Sequence, residues 1–233
     1  MQMKNNKTAF NLPKGFTVTG HTGCMDTPAN SLESLTVALQ NADIVEVDIS
    51  VLEDGTLALF HGHRAPEGSV PLKAAFEVLA QYPDKRMNLD LKMFDHCAEL
   101  QALAESCGVL DQVFFTGVFK SEVDRISKDA PKIPYYLNIN INPFLKYSIS
   151  YAHRLVKTVQ SVGAIGMNCN FMSATSLLVN AFHKQGMLVS IWTVRNDCQM
   201  KKVLRLAPDN LTTTIPDRVN ACLAAEKKTE VSK

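Results

Sequence analysis

The chain has no run of about 18 consecutive apolar residues, so no transmembrane helix or membrane anchor is expected. It has no acidic or basic block either, and its 24 Lys and Arg against 23 Asp and Glu leave a net charge of +1. That balance argues against nucleic-acid binding, or a membrane-surface role, resting on bulk electrostatics. A small anionic ligand needs only a local site. The six cysteines (Cys24, Cys97, Cys107, Cys169, Cys198 and Cys222) show no CxxC spacing, which leaves out a zinc ribbon or a redox pair. The start, Met1 to Lys7, is polar and basic with no apolar stretch behind it. No signal peptide is therefore expected, and the chain reads as cytoplasmic with reduced thiols. No Gly-rich phosphate loop follows the first strand, and no low-complexity linker divides the chain.

What is present is alternation. Eight short β-rich runs, from Phe16–Gly20 to Leu211–Thr214, are each followed by a helix-like stretch. Ile133–Ile141 is one of the longer runs. Regular β-α alternation implies parallel pairing, and eight units in 233 residues suit a closed (β/α)₈ barrel, an α/β fold. The expected organisation is one domain over residues 1–225 and a flexible tail over 226–233. Asn30 is the expected N-cap of the first helix, with Glu33 three residues on, as in a capping box.

A ninth run, Thr56–Phe60, follows the second strand through an Asp54-Gly55 turn. Read as a two-residue hairpin, this arm sets Asp48 opposite His61 and Glu46 opposite His63. The four polar side chains then share a face. Leu52, Leu57 and Leu59 share it too, nearer the turn. Asp90 and Lys92, in the strand MNLDLK, face the same way, and His21 ends the first strand. In a barrel these residues gather at the carboxyl ends of the strands, where active sites form. Three carboxylates held together repel unless a cation neutralises them, and oxygen ligands suit Mg²⁺ or Ca²⁺ better than zinc.

Several stretches then resemble one family, the glycerophosphodiester phosphodiesterases. His21-Thr22-Gly23 is similar to the family's opening His-Arg-Gly, and Pro28-Ala29-Asn30-Ser31 to its Pro-Glu-Asn-Thr block. Glu46-Val47-Asp48, Asp54-Gly55, His61-Gly62 and Asp90-Leu91-Lys92 follow in the family's order. IWTVRND and TTIPDRV resemble its last two strands.

The resemblance implies a metal-dependent barrel that hydrolyses glycerophosphodiesters, small-molecule substrates, to an alcohol and glycerol 3-phosphate. It implies His21 and His61 as general acid and base, and Glu46, Asp48 and Asp90 as metal ligands. Lys92 would hold the phosphate or order the carboxylates. Three departures stand out, with Thr22 in place of arginine, Ala29 of glutamate and Gly62 of aspartate. Arg64, Lys120 and Arg195 each follow a strand or arm end and are candidates to replace the lost charge.

A same-fold lyase, and a binding protein that kept the barrel without the chemistry, are the other readings these departures allow. The alternating asparagines of LNININ and MNCN either line a polar pocket, through Asn140, Asn142, Asn168 and Asn170, or satisfy one another as an amide ladder. Asn140, Asn168 and Trp192 are the expected contacts to the substrate headgroup. Nothing in the pattern sets an oligomeric state.

Overall fold

The computed structural model of the chain describes residues 10–231. Its strands are β1 (Thr17–Gly20), β2 (Ile44–Val51), β3 (Leu57–Leu59), β4 (Arg86–Leu91), β5 (Val113–Val118), β6 (Tyr135–Asn138), β7 (Gly166–Asn170), β8 (Leu188–Val194) and β9 (Asn210–Thr213). Its helices are α1 (Leu32–Asn41), α2 (Leu72–Leu79), α3 (Cys97–Ser106), α4 (Val123–Asp129), α5 (Ile149–Ser161), α6 (Ser176–His183), α7 (Asp197–Leu204) and α8 (Pro216–Val231). The strand order is β1-β9-β8-β7-β6-β5-β4-β2, and a further β1–β2 pairing closes the ring. All eight of these strands run parallel, so the fold is a closed (β/α)₈ barrel. The exception is β3, bonded antiparallel to β2 as an outer arm.

Alternation along the strands explains the layers. In β2 the odd residues Val45, Val47 and Ile49 join the apolar layer between strands and helices. The even residues Glu46, Asp48 and Ser50 are buried polar groups. The helices meet this layer with one apolar stripe each, as α5 does with Ala152, Val156 and Val159. The amino end of the barrel is plugged by Ile44, Phe114 and Tyr136, with the Arg86 guanidinium 4.8 Å from the Phe114 ring centre. Above the plug the interior turns polar, through Asn88, Thr116, Ser190 and Asn210. That polarity is what lets the carboxyl end hold a site.

Three local features differ from the sequence reading. The hairpin pairs Ile49 with Leu59 and Val51 with Leu57, one residue away from the two-residue scheme. Its loop has three residues, with the Gly55 N–H donating to the Leu52 carbonyl and Gly55 at φ +88°. The reason is burial. This register moves Leu57 and Leu59 off the polar face and into the apolar core. Second, the N-cap of α1 is Ser31, whose Oγ accepts from the Ser34 N–H at 3.0 Å, not Asn30. Third, α8 continues past Ala225 to Val231, so the boundary placed after residue 225 falls within this helix. Residues 1–9 and 232–233 lie outside the described residues. Among the described residues no helix is long and apolar enough to cross a membrane.

Candidate active site

The strand register builds the acidic cluster. Asp48 of β2 pairs directly with Asp90 of β4, and Glu46 with Asn88 one step below. An oxygen from each of Glu46, Asp48 and Asp90 lies within 4.8 Å of the others. The nearest cation is Lys92, whose Nζ is 3.0 Å from Asp48 Oδ1 and also contacts Asp90 Oδ2. The Thr116 hydroxyl is 2.8 Å from Asp90 Oδ1.

These contacts divide the carboxylates electrostatically. Glu46 is buried beside Asp48 and Asp90, and both effects push its pKa well above the usual carboxylate range. Among the described residues its one close donor is the Thr22 backbone N–H at 3.0 Å. Asp48 is also opposed by burial. The Lys92 charge, a hydrogen bond from Asn30 and the His61 ring outweigh it, so its pKa is lowered. Burial works against charge on Lys92 as well, but Asp90 and Asp48 raise its pKa overall.

Two imidazoles flank the cluster. His21 follows β1, and its Nδ1 is 2.6 Å from the Thr22 carbonyl and 3.9 Å from Glu46 Oε2. A carbonyl accepts only, so Nδ1 carries the proton and Nε2 keeps its lone pair. Burial lowers the His21 pKa despite that bond and the nearby carboxylates, and the Arg195 charge adds to the lowering. His61 places Nδ1 2.9 Å from Asp48 Oδ1 while its side chain stays 75% exposed. The expected Asp48–His61 contact is thus present, although Asp48 is paired in the hairpin with Phe60, whose N–H donates to the Asp48 carbonyl. The chain turns sharply at Gly62, whose N–H bonds the Phe60 carbonyl, and this brings His61 back over Asp48. Glu46 and His63 are not brought together. His63 lies in a cleft of about 370 Å³ beside Lys92, with Arg64 and His96.

Asn30 is the residue that sequence reasoning assigned elsewhere. Its Nδ2 donates to Asp48 Oδ2 at 2.9 Å and its Oδ1 accepts from the Asp48 N–H at 3.1 Å. It sits at φ +56°, a conformation asparagine tolerates better than most residues. That tolerance, beside a conspicuous Pro28-Ala29-Asn30 block, was the available signal. Thr22 is buried and its Oγ1 accepts from the Asn30 N–H at 2.5 Å, so it braces this loop and supplies no charge.

The remaining expected contacts divide in two. Asn168 pairs with Asn138, whose Oδ1 accepts from Asn168 Nδ2 at 3.0 Å and from the Gly117 N–H at 3.2 Å. Asn168 Oδ1 and Trp192 Nε1 are buried without a partner among the described residues. By contrast, β6 ends at Asn138, short of the expected Ile141, and Asn140 is exposed beyond it. Asn142 and Asn170 instead accept from the N–H groups of Phe144 and Met172, two residues on, and shape loops.

The model of the glycerophosphoryl diester phosphodiesterase family matches residues 84–218, more than half of the chain. The match takes in Asp90, Lys92 and Trp192. Similar solved structures include a phosphodiesterase from Oleispira antarctica in complex with the product sn-glycerol-3-phosphate, at 19% identity and TM-score 0.70, covering 91% of this chain and 97% of that one. A glycerophosphodiester phosphodiesterase from Parabacteroides distasonis has 16% identity and TM-score 0.73, over 91% and 98% of the two chains. One from Thermotoga maritima has 16% identity and TM-score 0.66, over 90% and 99%. No curated protein matches this chain.

Proposed function

This chain belongs to the glycerophosphoryl diester phosphodiesterase family, a family of hydrolases, and from that premise we propose that it cleaves glycerophosphodiesters to glycerol 3-phosphate and an alcohol with His21 and His61 as its proton-transfer pair. The observation that carries the proposal is geometric. Three inward carboxylates from adjacent strands lie between two imidazoles, and each ring has its Nδ1 committed to a neighbour. Each Nε2 is thereby left to accept or give a proton.

The carboxylate set fits a hard divalent cation. It offers three oxygen donors at close range, and the crowding that raises the Glu46 pKa is relieved by positive charge. Mg²⁺ or Ca²⁺ held by Glu46, Asp48 and Asp90 would supply charge neutralisation at a non-bridging phosphate oxygen.

The chain's own groups do the rest. His21 Nε2 takes a proton from the attacking water as its oxygen bonds to phosphorus. The bond from phosphorus to the alcohol oxygen breaks, and His61 Nε2 donates the proton that oxygen needs. Lys92 orders Asp48 and Asp90 and offers its remaining donor to the phosphate. Arg195 replaces the arginine missing at position 22. It follows β8 directly, one strand beyond the Thr213 carbonyl that the His21 N–H bonds at 2.8 Å, and its charge is felt at His21. Its guanidinium has no ion pair or hydrogen bond among the described residues. Trp192 Nε1–H and Asn168 Oδ1 are proposed as headgroup contacts, since each is buried and unpartnered. Cytoplasmic location belongs to the same proposal.

The test is turnover of glycerophosphocholine by the purified protein with Mg²⁺ or Ca²⁺. Release of glycerol 3-phosphate, lost by about 100-fold or more in His21→Ala with its fold intact, is expected. Accumulation of a cyclic phosphate would replace the hydrolase with a lyase. Absence of turnover on any diester would remove the proposal.

A further inference from the structure

Nine large apolar side chains are exposed among the described residues, and eight of them follow the carboxyl end of a strand. The exception, Leu188, opens β8 at the opposite end. The densest group lies in the loops after β6 and β7. Phe144 is 93% exposed, Tyr147 72%, Ile149 65% and Met172 61%, with Leu145 beside them. Contiguous apolar surface of this kind marks an interaction site.

The exposure is built in. Asn142 Oδ1 accepts from the Phe144 N–H at 2.9 Å, the Leu145 N–H bonds the Asn142 carbonyl at 3.1 Å, and the Tyr151 hydroxyl accepts from the Asn142 N–H at 3.0 Å. These bonds hold Phe144 out at the tip of a turn. Lys146 joins the two loops, its Nζ donating to the Met172 carbonyl at 3.2 Å and its carbonyl accepting from Thr175 Oγ1 at 3.1 Å.

Charge selects the occupant. The near-neutral total conceals an uneven distribution, because no acidic residue occurs between Asp129 and Asp197. Neither loop therefore carries a negative charge, and Lys146 is the one cation in them, since Lys132 precedes β6 and Lys184 ends α6 on the far side of the barrel. A projecting apolar tip with a lysine beside it, on an acid-free segment, complements a fluid apolar layer under a negatively charged surface. A protein partner would instead need a pocket shaped to that tip.

We propose that the loops after β6 and β7 dock the carboxyl face of the barrel on an anionic phospholipid bilayer. Phe144, Leu145, Tyr147, Ile149 and Met172 enter the headgroup boundary, and Lys146 meets lipid phosphates. The mouth of the barrel then faces the membrane. Docking stands apart from hydrolysis, so it is measured without turnover.

The experiment is flotation of the full chain with vesicles of phosphatidylcholine alone and of phosphatidylcholine with phosphatidylserine. Binding to the phosphatidylserine vesicles, weakened by salt, is expected. The double variant Phe144→Ser/Tyr147→Ser should lower the partition by about tenfold or more, and Lys146→Glu by about fivefold. Leu188→Ser, at the far end, should change nothing. Circular dichroism and unchanged turnover of soluble glycerophosphocholine show that the variants fold. Lack of binding to either vesicle, or binding the double variant leaves intact, overturns the proposal. So does a dimer seen by light scattering that the double variant abolishes, because a second copy would then cover the patch.

Discussion

Asp48 keeps its charge although it is buried, because Lys92, Asn30 and His61 each place a donor within hydrogen-bond distance of its oxygens. Glu46 has a single backbone donor among the described residues and the opposite tendency. The three carboxylates were legible as a group because strand alternation puts residues of equal parity on one face. Their individual electrostatics were not, since those depend on Asn30 and Lys92 arriving from other elements. The loss of the phosphate-gripping arginine was equally plain in the sequence, but its replacement was not. Arg64, Lys120 and Arg195 were equivalent candidates there, and the closure that sets β8 two strands from β1 is what favours the proposal of Arg195. Arg195→Ala should lower kcat/KM for glycerophosphocholine by about 10- to 100-fold, the worth of a charged hydrogen bond at 1.5–3 kcal/mol. Lysine at this position should restore only part, having no planar fork. Steady-state kinetics on the two variants checks this, and an unchanged kcat/KM would return the phosphate to Lys92 alone.

The arm β3 shows what an element-level reading can miss. The Asp54-Gly55 signal located the turn, but a two-residue and a three-residue loop differ by one position, and every side chain changes face between them. Burial of Leu57 and Leu59 decided the outcome. The contact from His61 to Asp48 survives because it forms beyond the paired residues. The end of β6 differs from the expected Ile141 for a related reason, since the strand stops where Asn138 turns to bond Gly117 and Asn168, leaving Asn140 in the loop beyond. Gly55 and Gly117 make a controlled pair for testing how strands position the site. Both have positive φ, at +88° and +77°. A Cβ on Gly55 would meet nothing within 4 Å, whereas one on Gly117 would lie 2.5 Å from the Leu91 carbonyl oxygen and 3.0 Å from Asp90 Oδ1. Gly55→Ala should therefore cost only the backbone term, about 1–2 kcal/mol, or roughly 2–8 °C in Tm. Gly117→Ala should cost more and also weaken divalent-cation binding by displacing Asp90. Thermal melts and calorimetric titration of both variants distinguish them.

For the whole molecule, the eight-unit barrel was legible because each β-rich run alternates with a helical stripe in a repeating order. The chain also buries three thiols completely, at Cys24, Cys97 and Cys169. Burial pushes them from 9.0 to about 11, about 12 and about 12. Above about pH 9 the unfolded thiols lose protons that the folded ones keep, so the fold loses stability as pH rises through that range. Each thiol contributes up to about 1.4 kcal/mol per pH unit there. Denaturant midpoints measured from about pH 8 to about pH 11 should fall steeply above 9, and a flat profile would contradict the burial. The most direct test of the account concerns the carboxylate cluster. Crystals soaked in Mn²⁺, as an anomalous stand-in for Mg²⁺ or Ca²⁺, should give a peak about 2.0–2.6 Å from oxygens of Glu46, Asp48 and Asp90. A peak held by other residues, or none at that cluster under saturating metal, would contradict it.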